Sequence, residues 1–295
     1  FDVVTCKKTD DGSIRFKTDS GFLSDEDAAS NLCVKAAKLL QDRFGCGGVE
    51  ISLEKHIPIA AGLAGGSTDG AAVLKAVNSL YGLGLSLGEL EKLGVTLGAD
   101  VPYTLRGGTV LCEGIGDVMT NLPDAPDCHL LLAKPDLYVS TGEVYGTLVL
   151  DDTSIHPDVD GQVEAIKEND LKETAKKCDN ILARVTEKKH PIIVEIETLM
   201  KNMGAENSIM SGSGPTVFGL FENKSDAENA AEEIKKITNA NFNQNTSEST
   251  NKNAYGGAIH NKYIIKCFQK RFDDNKGKKY FIDINKEINI LKIKE

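Results

Sequence analysis

No apolar run in this chain approaches the ~18–20 residues a membrane-spanning helix needs, and no leader pattern opens it, so neither a membrane protein nor an exported one is expected. Basic charge is scarce. Lys and Arg number 34 against 44 Asp and Glu, a formal net charge of −10 with a pI near 5.1, which argues against a generic nucleic-acid surface. The seven cysteines are scattered and form no Cys-x-x-Cys, so neither a disulfide framework nor a zinc site is expected, and reduced thiols in a cytoplasmic protein fit best. His56, His129, His156, His190 and His260 share no ligand spacing. Asp151-Asp152 and Asp158/Asp160 lack the glycine and terminal glutamate of a calcium loop and read as solvated acid, so no protein-held metal is expected. No repeat of roughly 20–50 residues is present. What remains is 295 residues, 40% hydrophobic, enough for one large domain or two modest ones.

Charge divides the chain unevenly. Residues 1–237 carry 23 basic and 38 acidic side chains, whereas Thr238 to Glu295 carry 11 and 6. The junction, residues 238–254, is rich in Asn, Ser and Thr and reads as a linker. The tail beyond it, 255–295, holds a basic block from Lys262 to Lys279 that is read as a solvated face. The interleaved Tyr263, Phe268, Phe272, Tyr280 and Phe281 leave a weak nucleic-acid reading open.

Before the junction, strands and helices are mixed. Val49, Ile51 and Leu53 alternate as a strand, and Ser67 to Tyr81 has helical spacing that closes at Gly82. Ser86 with Glu89, and Ser140 with Glu143, have the spacing of capping boxes, the first opening a helix that ends near Gly98. A strand is expected at His129–Ala133, helices around Val159–Lys177 and His190–Met203, a strand–loop–strand at Asn207–Phe221, and a last helix from Ser225 to about Ile237. Gly114-Ile115-Gly116 reads as a hairpin turn. Without a regular βαβα rhythm, the class expected is α+β in two subdomains.

Between the first strand and helix lies Pro58-Ile59-Ala60-Ala61-Gly62-Leu63-Ala64-Gly65-Gly66-Ser67-Thr68-Asp69. Small residues let backbone approach a ligand, and the helix start that follows offers unpaired amides. Together they make an anion cradle, with the Ser67 and Thr68 hydroxyls as added donors. A tight turn that needs glycine only for its φ angles explains the same residues. No Gly-Lys-Ser/Thr follows, so it is not a Walker loop, and no regular βαβ unit makes it a dinucleotide fingerprint. Further on come Leu97-Gly98-Ala99-Asp100-Val101-Pro102 and a second glycine-rich loop, Ser211-Gly212-Ser213-Gly214-Pro215-Thr216.

This ordered trio, with Asn31-Leu32-Cys33 ahead of it, closely resembles the GHMP kinase superfamily from about Asp2 to Ile237. The spelling is most similar to the branch that phosphorylates a cytidine-diphosphate sugar alcohol in the non-mevalonate route to isoprenoid precursors. The resemblance implies a two-lobed α+β fold, with a ribosomal-protein-S5-like lobe over 1–124 and a ferredoxin-like lobe over 125–237. It implies ATP with its Mg²⁺ as cofactors and a small-molecule substrate. Pro58 to Thr68 would wrap the ATP phosphates. Asp100 would accept the proton of the substrate hydroxyl, although an aspartate there also reads as a helix N-cap. Asn31 would lie near the adenine, or cap the helix of Leu32–Leu40. Ser211, Gly212, Ser213, Gly214 and Thr216 would close the site from the second lobe, or form a plain hairpin loop.

Two departures from the family stand out. Its opening strand, with a lysine that pairs with the catalytic aspartate and a Tyr-His that holds the cytidine, has no counterpart here, which would leave a sheet edge bare. Its final strand is expected to be replaced by the Asn-rich run. Two other readings therefore stand beside the first: a homoserine- or mevalonate-type kinase, and a silent nucleotide binder whose tail mediates an interaction.

Overall fold

The computed structural model describes residues 2–19, 28–150, 156–245, 256–259, 280–285 and 290–293, with side chains described up to Ile237. In the first lobe, β1 (Val3–Thr9) and β2 (Arg15–Thr18) flank β3 (Gly48–Glu54), antiparallel and parallel to it respectively. The alternation read in β3 is real: Val49, Ile51 and Leu53 are buried. Two helices cover them. Helix α1 (Leu32–Phe44) buries Cys33, Ala36, Ala37 and Leu40, one helical stripe, and α2 (Gly65–Leu80) buries Ala71, Ala72, Val73, Leu74, Ala76 and Val77. The small residues let the helices approach closely; a Cβ on Gly70 would stand 3.1 Å from Leu32. Helix α3 (Leu87–Val95) opens with the expected Ser86–Glu89 capping box. Then come α4 (Val101–Arg106) and the hairpin of β4 (Gly108–Glu113) and β5 (Val118–Asn121), turned by Gly114–Gly116 as expected.

The second lobe runs β6 (His129–Ala133), α5 (Thr141–Thr147), α6 (Val159–Lys167), α7 (Leu171–Lys176), α8 (Ala183–Lys189), α9 (Ile192–Asn202), β7 (Asn207–Met210), β8 (Val217–Phe221), α10 (Lys224–Asn245) and β9 (Gly256–Ile259). Its four strands lie in the order β7-β8-β6-β9, every pairing antiparallel. That is the ferredoxin-like arrangement. A core of its own, with Leu131, Ile181, Ile193, Ile196, Met210 and Phe221, fills the space between this sheet and its helices.

Several expectations are corrected. The helix read over Val159–Lys177 is two helices, because Asn169 adopts a left-handed φ of 55° and Asp170 recaps the chain, accepting from the Glu173 amide at 3.0 Å. The last helix continues to Asn245, through the first part of the run read as linker. The final strand expected to be missing is supplied by β9, which lies along the open edge of β6 with Gly257 opposite Leu132. The tail adds two more strands. β10 (Tyr280–Asn285) runs antiparallel to β4, and β11 (Ile290–Ile293) runs parallel to β1, on the edge expected to be bare. Asp151-Asp152, His260 and the Lys262–Lys279 block lie outside the described residues. Among those described, no helix is long and apolar enough to cross a membrane.

Candidate active site

The glycine-rich loop leaves β3 and enters α2 through a backbone that few sequences tolerate. Ala60 and Ala64 sit at φ 53° and 51°, and Gly62 at 73°. Two alanines in the left-handed region are strain held by their surroundings. Ala64 is the N-cap of α2 and offers no side-chain acceptor, so the first-turn amides at Gly65, Gly66 and Ser67 are not taken up by a cap. All these residues line one cavity of about 540 Å³, which Pro58 to Ser67 bound together with Asn31, Leu53, Lys55, Asp69, Asp100 and Ser213. Of the first-loop residues expected at the phosphates, Pro58 to Ser67 line this cavity and Thr68 does not. The Thr68 hydroxyl turns back into the helix and donates to the Ala64 carbonyl at 3.0 Å, so it is a structural group.

Asp100 stands at the N-cap position of α4 but does not cap it. Its side chain makes no capping bond, and it lines the cavity. Pro102 in the first turn of α4 and the Thr104 hydroxyl, which donates to Ser67 O at 3.3 Å, fix this helix against α2. Gly116 packs so close to Ala99 that a Cβ there would meet the Ala99 carbonyl at 2.8 Å, so the β4–β5 turn buttresses the segment that carries Asp100. Tyr145 lines the same cavity as Asp100, and burial together with the Asp100 carboxylate pushes its hydroxyl up to about 12. Asn31 caps α1 through Oδ1, accepting from the Cys33 amide at 2.8 Å, and faces the same cavity.

The second glycine-rich loop does more bracing than lining. Among its residues only Ser213 lines the cavity, its hydroxyl 2.9 Å from that of Thr141. Ser211 donates to the Gly62 carbonyl at 2.8 Å, and the Thr216 amide donates to Ala61 O at 3.4 Å. A Cβ on Gly62 would collide with Ser211 O at 2.2 Å, so the two loops are seated backbone on backbone across the lobes. Buried Asn180 holds the second loop's shape by donating to Met210 O and Gly212 O at 2.7 and 2.8 Å, and Thr186 donates to Ser213 O at 3.1 Å.

Sequence reading misses a buried charge cluster under the first loop. Lys55 Nζ donates to Asp69 Oδ2 at 3.0 Å and to the Asp2 carboxylate, and the three side chains are 7%, 3% and 0% exposed. Asp2 also accepts from the amides of His56 and Ile57 at 2.6 and 2.7 Å. Burial raises the Asp69 carboxyl to about 7, with Lys55 pulling it down and Asp2 pushing it up. Asp69 Oδ1 is buried without a hydrogen-bond partner. Lys55 and Asp69 both line the cavity, but Lys55 lies just outside the glycine motif and Asp69 is its last letter, so neither announces itself. Asp158, weighed for a metal, instead caps α6 and pairs with Lys177 at 2.6 Å. Among the described residues no group of three or more His, Cys, Asp or Glu could hold a metal ion.

A strained glycine-rich loop at a helix start, a carboxylate in the same cavity and a ferredoxin-like second lobe define a small-molecule phosphotransferase of two lobes. The models of the GHMP kinases N terminal domain and the GHMP kinases C terminal domain match residues 31–108 and 162–239, and the chain belongs to the GHMP kinase family, whose members use ATP. It is 48% identical over 236 residues to the 4-diphosphocytidyl-2-C-methyl-D-erythritol kinase of Lachnoclostridium phytofermentans, covering 80% of each chain. It is 45% identical, again over 236 residues, to the enzyme of that name from Caldicellulosiruptor saccharolyticus, covering 80% of this chain and 81% of that one. A crystal structure of a 4-(cytidine 5'-diphospho)-2C-methyl-D-erythritol kinase superposes with a TM-score of 0.64 at 31% identity, over 79% of this chain and 81% of the other. A homoserine kinase from Cytophaga hutchinsonii, at 22% identity, shares the fold with a TM-score of 0.69 over 80% and 81% of the two chains.

Proposed function

We propose that the chain transfers the γ-phosphoryl group of ATP to the 2-hydroxyl of 4-diphosphocytidyl-2-C-methyl-D-erythritol, giving the phosphate ester and ADP, in the cytoplasm. The observation that carries the site is that one cavity gathers the strained Pro58–Ser67 loop, Asn31 and Asp100. The amides at the start of α2 suit the phosphates, because the helix end presents unpaired N–H donors and positive potential to an anion. The carboxylate of Asp100 accepts the hydroxyl proton as the oxygen attacks phosphorus in line with the departing ADP oxygen. The Tyr145 ring offers a flat face on which a pyrimidine can stack. Mg²⁺ would arrive with the nucleotide, held mainly by phosphate oxygens as is usual for this ion, with the Ser67 and Asp100 oxygens among those of the cavity wall that could complete its shell. When bound, it neutralises charge on the transferring group.

ADP release on adding 4-diphosphocytidyl-2-C-methyl-D-erythritol tests the reading. Asp100→Asn keeps the shape and removes the base, so kcat should fall by about 10²–10⁴ while the KM for ATP changes little. Equal turnover in Asp100→Asn removes the aspartate from the chemistry, and turnover on homoserine or mevalonate alone overturns the substrate.

A further inference from the structure

Lys55 and Asp69 stand at the two ends of the phosphate loop. Lys55 is the residue that follows β3, and Asp69 lies just beyond the first turn of α2, so their 3.0 Å contact closes the loop's base. Asp2 adds a second tie. One of its oxygens pairs with Lys55, and the other accepts from the amides of His56 and Ile57, the residues that lead into the loop. The ammonium lies directly beneath the helix start, 2.9 Å from where a Cβ on Gly65 would stand. A buried ion pair of this kind is a poor source of stability, because desolvation offsets its attraction. Its use must be sought in what it holds. What it holds is a loop with Ala60 and Ala64 in the left-handed region, a conformation that persists only when its surroundings over-determine it.

We propose that Lys55 and Asp69 are positioning residues for the nucleotide. Their ion pair, anchored by Asp2, fixes the distance between the loop's ends and thereby aims the amides of residues 60–67 at the phosphates. The inference rests on the reading of this cavity as a nucleotide site. It adds a division of labour: the loop binds the phosphates, and a clasp outside the loop sets its shape. Adenine and ribose, held elsewhere in the cavity, do not depend on the clasp.

The test compares MgADP and adenosine binding, by calorimetry and by ligand-observed NMR respectively, in the unmutated chain, Asp69→Asn, Lys55→Met and the double variant. Each single change should weaken MgADP binding by about 10- to 100-fold, as an ångström-scale misplacement of binding groups does, and leave adenosine binding within about twofold. The double variant should bind MgADP no more weakly than the worse single one, because the second change removes nothing that the first has left. Circular dichroism and a cooperative melt establish folding. Asp69→Asn, nearly isosteric, carries the test if Lys55→Met does not fold, and failure of both to fold would make the clasp a folding requirement and overturn the proposal. Equal losses for adenosine and MgADP, losses that multiply in the double variant, or unchanged MgADP affinity would also overturn it. If the unmutated chain binds no MgADP, the nucleotide reading falls first and this inference with it.

Discussion

A methyl group on Gly62 would meet the Ser211 carbonyl at 2.2 Å, and the φ of 73° there is one that side chains resist. The obstacle is backbone, which cannot swing aside. Gly62→Ala should therefore destabilise the protein by roughly 2–4 kcal/mol, the left-handed penalty plus overpacking, seen as a lower denaturation midpoint. A midpoint unchanged from the parent would mean that the loops are not seated against each other. Asn180 offers the complementary case. Its amide satisfies two buried carbonyls, at Met210 and Gly212, and its Oδ1 accepts from the Leu182 amide at 3.0 Å. Asn180→Ala orphans all three, and a loss of about 1–3 kcal/mol for each unsatisfied group is expected. Neither Asn180 nor Thr186 could be found from the sequence. They act on the second loop from at least 27 residues away, and a lone polar residue carries no sign of which backbone it will serve. Asp100 and Asn31 stand out in the sequence because a motif marks each; Asn31 also caps its helix, whereas Asp100 does not.

Among the elements, α9 packs a carboxylate where water is scarce. Burial raises Glu197 to about 7, with Glu187 and Asp179 adding to the shift while Lys201 and the Met210 amide oppose it. The unfolded chain loses this proton near 4.5, so between about 4.5 and 7 the folded state holds more protons than the unfolded one. Stability from this site is thus present at low pH and lost as pH rises through that window, and Asp69, raised to about 7 as well, acts in the same sense. Glu197→Gln removes the titration. Its melting temperature relative to the parent should be higher at pH 8 than at pH 5, and an equal difference at both would show that Glu197 does not titrate there. Elements were read well where a repeating pattern carried them, as in β3 and α2, whose buried faces follow the apolar spacing. They were misread where a single residue decides. Asn169 breaks a continuous helical pattern by adopting a left-handed φ, and nothing in periodicity marks that choice. The charged cluster of Asp2, Lys55 and Asp69 escaped for a related reason: it unites three elements whose pairing only the folded sheet determines.

At the scale of the molecule, the chain after Asn245 gives an edge strand to each of three sheets: β9 to β6, β10 to β4 and β11 to β1. Unpaired edges are templates for association. A chain ending at Asn245 should therefore form higher oligomers in light scattering at concentrations where the full chain does not, and equal behaviour would show those strands to be dispensable covers. The seating of Ser211 on Gly62 has a separate consequence. That bond spans 149 residues and joins halves that each have their own core. A cut in the connection between Asn121 and His129 would make the same contact bimolecular, and a nucleotide lying against Asn31 on one piece and Ser213 on the other would act as an adhesive between them. Two fragments, the second trimmed after β9 so that β10 and β11 no longer bridge the pieces, each bearing a fluorophore, would then report nucleotide concentration as proximity, with the enzyme's cleft serving as a sensor.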